Sequence, residues 1–236
     1  MARDLTSSDR ANLIRLASSL PVGSPERKAI LAGLKSAASG GDVNVPGKNI
    51  LDDAQVTGNA KVYGWAQVSG KAEVRDEAKL YQDAKVYGEA QVFGQASMGQ
   101  RAQVYDQAKV SGNAQLRDEV KVYENAQVSG RVMLGGRSKV HGFAEVSGHA
   151  SVAGSAEVHG FAEVTDFALV SEQANVSQKA KVFGKAFVGG DAILTRNARI
   201  GGTAEILGGK WDGSEGEILS GKWKAPGVPA RRPKAR

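Results

Sequence analysis

The sequence predicts a mainly β fold: a solenoid of short parallel strands, preceded by a helical segment and closed by a small β cap. Three observations carry this. An aliphatic residue or Met recurs at every sixth position from Ile50 to Ile206 without a slip. A small residue, nearly always Ala, lies two positions before each of these, and Gly or a polar stand-in lies two positions after. The segment VHGFAEV begins at Val140 and returns unchanged at Val158, eighteen residues on. Fixed-period self-similarity of this kind marks repeat architectures, in which each unit buries its apolar face only against its neighbours.

Residues 1–44 form the expected helical segment. Ser8 is placed to cap a first helix running to about Ser19, with Leu13, Ile14 and Leu16 apolar, and Pro21 stops it. Ser24 followed by Pro25 starts a second helix, Pro being suited to the first helical position. That helix carries Ile30, Leu31 and Leu34 and ends near Ser39 at Gly40-Gly41. The pair is expected to cap the open strand edge near Ile50. The stretch LIRLASSLPVGSPERKAILAGL also looks similar to leaders of phage structural proteins, which would make it a docking segment.

Residues 45–209 form the repeat, with the unit A-x-V-x-G-x. Side chains alternate along a strand, so A-x-V places its two apolar residues inward and its middle residue outward. The middle residue is mostly Gln, Lys or Glu, as a solvent face requires. The Gly position wants a positive φ, which Gly adopts freely and Asp or Asn tolerates. Six residues thus make one flat side and one corner. Val120, Val132 and Ser138 depart from the small-residue rule, while Asp76, Asp106, Asp118 and Gln100 stand at the Gly position.

This pattern resembles the hexapeptide-repeat left-handed β-helix family over residues 50–209. The resemblance implies three sides per coil, eighteen residues per coil, and a left-handed winding that periodicity alone does not fix. About nine coils at a strand spacing of roughly 4.8 Å would give a rod of roughly 40 Å. On that frame the second VHGFAEV lies on the first. His141 stacks on His159 and Phe143 on Phe161, and the first column continues downward through Tyr123, Tyr105 and Tyr87. The segment VSGKAEVRDEAKLY (68–81) returns approximately as VSGNAQLRDEVKVY (110–123), an offset of whole sides but not of whole coils. The three sides are therefore close to interchangeable.

Residues 210–225 form the expected cap. EILGGKW (205–211) returns as EILSGKW (217–223), which reads as a hairpin module with Trp211 and Trp223 packed over the last coil. Residues 226–236 are Pro-rich and basic, which reads as a disordered tail offering at most a weak polyanion contact.

Composition excludes several function classes. The chain has 236 residues and no Cys, so it holds neither a disulfide framework nor a thiolate metal site. The net charge of +6 is concentrated at the two ends, leaving no basic groove along the repeat. No stretch reads as a membrane span or a signal peptide, and the expected location is the cytoplasm or a virion.

The family resemblance implies acyl transfer from a coenzyme A thioester as one possible activity, with a His base and a pocket built by an extruded loop. The three histidines, His141, His149 and His159, would be the catalytic candidates, with acetyl-CoA as the cofactor. The six-residue count never breaks, however, so no loop is extruded around them. Zinc would need three converging ligands. His149 falls on a different side from His141 and His159, and the paired-His spacing of the family's zinc enzymes is absent, so no metal is expected. Asp76-Glu77 and Asp118-Glu119 read as solvated corner residues. The favoured reading is a rigid, non-enzymatic structural or binding rod, a scaffold or surface component of a phage or bacterium. Tyr87, Tyr105, Tyr123, His141, Phe143, His159 and Phe161 would form a binding edge for a protein or carbohydrate. A homotrimer, the assembly seen among family members, would place such an edge between subunits.

Overall fold

A computed structural model describes Leu16, residues 49–225 and Val228–Pro229. The chain divides into two units, Met1–Asn49 and Ile50–Arg236. The predicted helical pair, Leu16 apart, and almost all of the basic tail lie outside the described residues.

The second unit is a parallel β-solenoid of three sheets with nine, ten and eleven strands. Its first strands are β1 (Gln55–Val56), β2 (Lys61–Val62) and β3 (Gln67–Val68), and each founds one face. The next strand, β4 (Glu73–Val74), lies on β1 in parallel, with Gln55 opposite Glu73 and Val56 opposite Val74. The same eighteen-residue step repeats up to the C-terminal cap, and Val140 sits opposite Val158 as the duplicated segment requires. The first, second and third faces below are those begun by β1, β2 and β3.

The core is a column of stepped aliphatics with the alanines between them. From Val62 to Ile206 every sixth residue is buried, as are the alanines that precede them. Burying one such valine contributes about 1.5–3 kcal/mol before chain entropy opposes it. Val120 and Val132 fill the small-residue place without leaving the core, and Ser138 is buried there with its hydroxyl donating to the Val152 carbonyl at 3.3 Å.

The corners use positive φ as the unit demands. Where the corner residue is not Gly, φ lies between 52° and 64°, at Asp76, Asp118, Gln178 and others. A left-handed L-residue costs about 1–2 kcal/mol, and most of these residues gain a bond in return. Asp76 accepts from the Gly94 amide at 2.9 Å, Asp118 from Gly136 at 2.8 Å and Asp166 from Gly184 at 2.9 Å, each one coil on. Gln82 accepts from the Gln100 amide at 2.6 Å, and Gln100 in turn from that of Asp118. Asp76 and Asp118 are exposed at the corners, as expected, and they also cap backbone amides that the strands leave unpaired.

The C-terminal cap is β but not a hairpin of the two repeated segments. Trp211 lies in parallel on Leu194, and Trp223 in parallel on Ile206. EILGGKW and EILSGKW therefore each supply two successive sides of the winding, with the corner before each Trp shortened by one residue. Trp211 is buried in the valine place and donates its indole N–H to Gly208 O at 2.9 Å. Trp223 repeats that bond to Ser220 O at 3.0 Å and meets Trp211 edge-on at 6.0 Å. Among the described residues antiparallel pairing occurs only on the outer edge of this strand, where Trp223 faces Pro229.

A candidate binding edge of stacked rings

The residue that follows the inward Val on the third face stands at the shoulder of the corner, half in solvent. The eighteen-residue step brings successive shoulder residues into line. Tyr87, Tyr105, Tyr123, His141 and His159 occupy this shoulder on five consecutive coils. Their ring centroids are separated by 4.8, 5.0, 4.6 and 4.9 Å, with planes within 6° of parallel. The strand spacing sets the distance, and the small tilt between coils keeps the rings face to face. Two residues further, across the corner glycines, Phe143 stacks on Phe161 at 5.1 Å. All seven residues expected to form the edge are brought together on this one corner.

The ring tips reach up to the outward residue of the next coil on the same face. Tyr87 donates its hydroxyl to Gln103 Oε1 at 3.4 Å. His141 Nε2 meets Glu157 Oε1 at 3.0 Å, and His159 Nε2 meets Asn175 Oδ1 at 3.3 Å. The ladder is thus tied sideways to the sheet as well as along its own axis.

Charge is unevenly placed along the edge. Asp106 and Glu124 stand at the corner beside the tyrosines. Burial, reinforced by the neighbouring phenols and by these two carboxylates, pushes Tyr105 up to about 12. Burial and Asp106 raise Tyr87, while burial, Glu157, Glu124 and Asp106 raise Tyr123. Burial also pushes the Glu157 carboxyl up, but the His141 hydrogen bond and the positive charges of Lys139, His141 and His159 outweigh it and hold Glu157 below the ordinary value.

The three histidines do not converge. His141 has Glu157 at Nε2 and Glu124 Oε2 3.8 Å from Nδ1, while Tyr123 and His159 cover its two faces. Nε2 is thus within hydrogen-bond distance of a carboxylate, while Nδ1 faces a second carboxylate from beyond that distance. His149 lies on the corner after the first face, stacked on exposed Phe167 at 4.8 Å. Among the described residues no group of three His, Asp or Glu is placed to hold a metal ion, and no helix is long and apolar enough to cross a membrane.

Other rings took a different place, one that sequence reasoning missed. Tyr81 and Phe183 lie flat over glycines one coil on: a Cβ on Gly99 would stand 2.0 Å from Tyr81 Cε2, and one on Gly201 would stand 2.2 Å from Phe183 Cε2. The signal was present as a Gly eighteen residues after an aromatic. Arg75 covers Phe93 at 4.3 Å. A groove of about 660 Å³ on the second-face corner is lined by Gln82, Arg101, Asp118, Glu119 and Arg137. Its charges are largely matched internally, with Arg101 2.6 Å from Glu119 and Asp118 held on the Gly136 amide.

No protein-family model and no curated protein matches the chain.

Proposed function

We propose that the protein is a rigid, non-enzymatic rod of the hexapeptide-repeat left-handed β-helix type, presenting the third-face corner as a binding edge. The observation that carries this reading is the continuous ring ladder from Tyr87 to His159, held at one spacing over five coils. A stack tied to the sheet at its tips is preorganised, so a partner that lies along it loses little freedom in ordering the protein side. The eighteen-residue coil supports the family likeness. The role that suits such a rod is that of a scaffold or surface component, as part of a phage or bacterial assembly.

The histidine environment favours this reading over acyl transfer. An attacking hydroxyl or amine must lose its proton to a base held within hydrogen-bond reach. His141 spends Nε2 on Glu157 and His159 spends Nε2 on Asn175, and His149 stands apart on another corner. The test is consumption of acetyl-CoA across a panel of amine and hydroxyl acceptors. No turnover is expected. Turnover that disappears when His141, His149 and His159 are all replaced by Asn, with the melting curve unchanged, would overturn the reading and establish a thioester-dependent enzyme.

A further inference from the structure

The two ring stacks on the third-face corner end on the same coil. The residue above His159 is Ser177, whose hydroxyl turns inward to the Leu194 carbonyl at 3.2 Å and lays no ring on the imidazole. The residue above Phe161 is Lys179. The duplicated VHGFAEV therefore finishes in a two-ring ledge, His159 and Phe161, on either side of Gly160. Phe161 is 58% exposed, close to Phe143 beneath it at 55%.

A groove of about 500 Å³ opens above this ledge, lined by His159, Phe161, Gln178, Lys179, Arg196 and Asn197. The groove is shallow and open to solvent. Its charge differs from the rest of the edge. Lower down, Glu89, Asp106 and Glu124 stand beside the tyrosines; at the ledge the corner carries Lys179 and Arg196. The nearby acids are already matched, Glu157 to Lys139 and His141, and Asp212 to Arg196 at 3.0 Å. Among the described residues Lys179 has no acidic partner. An anion is thus repelled from the tyrosine end and drawn to the ledge.

Resting on the reading of this corner as a binding edge, we propose that the ledge is a site for an acidic sugar, with a pyranose ring lying on Phe161 and its carboxylate against Lys179. The C–H face of a pyranose carries slight positive charge and meets the negative face of an aromatic ring. The side-chain amides of Gln178 and Asn197 supply donors and acceptors for ring hydroxyls. Gln178 Oε1 already accepts from the Arg196 amide at 3.0 Å, which restrains the side chain and leaves its NH₂ to donate. A flat nucleobase gains most when held between two planes, whereas the ledge offers one.

The experiment is calorimetric titration of the full chain with trigalacturonic acid, with a neutral trisaccharide, and with adenosine monophosphate. The acidic trisaccharide is expected to bind saturably and at least tenfold more tightly than the neutral one. Phe161→Ala and Lys179→Glu should each weaken it tenfold or more. Gln127→Lys, outward on the first face, should leave it unchanged, and all three variants should keep the wild-type melting curve. Lys179→Arg should restore most of the binding, which separates charge from a packing effect. Equal binding of acidic and neutral sugars, binding of the nucleotide in preference to the sugar, or binding insensitive to Phe161→Ala and Lys179→Glu would each overturn the site. A chain that binds none of the probes and consumes no thioester overturns the ledge but leaves the rod reading standing. Histidine-dependent thioester turnover overturns that reading whether or not the sugar binds.

Discussion

Replacing Val128 by Asp puts a charge into the middle of the apolar column. Val128 is 1% exposed and lies between Val110 below and Val146 above, each one coil away. No donor among its neighbours in the column can satisfy a carboxylate. The substitution removes about 1.5–3 kcal/mol of apolar burial and adds the cost of an unpaired polar group, at least about 1–3 kcal/mol, so the total is about 3–6 kcal/mol. The buried carboxyl responds by raising its folded-state pKa above the unfolded value of about 3.9. Stability of the variant is therefore highest below that value and falls as pH rises towards the folded pKa, beyond which the loss is complete. Gln127→Lys, one residue away on the outer surface, should change stability by less than about 0.5 kcal/mol. Urea melts followed by circular dichroism at acidic and neutral pH measure both. Equal losses in the two variants, or a Val128→Asp loss that shrinks as pH rises, would refute the inside–outside assignment.

Other residues give separate tests. Asp118→Ala should cost about 1 kcal/mol by orphaning the Gly136 amide, and Asp118→Asn, which keeps the acceptor, should recover most of it in the same melts. Ultraviolet titration should find one phenol that ionises near 12. Because that folded-state value lies above the ordinary 10, stability should be full below pH 10 and fall as pH rises towards 12, and Tyr105→Phe should flatten part of this slope. Trp211→Ala should cost about 3–5 kcal/mol and should fray the last coil first, seen as red-shifted emission from Trp223 well before the circular dichroism transition.

The side-and-corner plan was legible because one constraint repeats: an inward aliphatic every sixth residue leaves no other way to bury Val62 through Ile206. The ladder was legible for the same reason, since a fixed coil length converts sequence spacing directly into stacking. Handedness has no counterpart in spacing, and it entered through resemblance alone. The amide caps at Asp76 and Asp118 were hidden because one coil's exposed corner carboxylate looks solvated until the next coil's amide is placed above it. Their signal was that nearly every corner residue other than Gly carries a side-chain oxygen. Arg196, which has none, instead donates its amide to Gln178 and its guanidinium to Asp212. Two similar C-terminal segments around a Gly-rich stretch suggest an antiparallel hairpin. A corner shortened by one residue, with Gly208 and Gly209 turning the chain, gives the same signature while continuing the coil. The ledge charge was concealed by the overall balance, since Lys179 and Arg196 matter only once Phe161 is placed beneath them.

The central claim is that residues eighteen apart are neighbours on one face and residues twelve apart are not. The chain has no Cys, so an introduced pair reports without interference. Gln127 and Glu145 are partners on adjacent strands, both outward. At a strand spacing of about 4.8 Å their Cα atoms fall within disulfide range. Gln127 and Lys139 lie on different faces. Mild oxidation of Gln127→Cys/Glu145→Cys should give an intramolecular disulfide, seen as a loss of two hydrogens by mass spectrometry, while Gln127→Cys/Lys139→Cys should stay reduced. Closure of the second pair and not the first would contradict the three-sided coil and everything built on it.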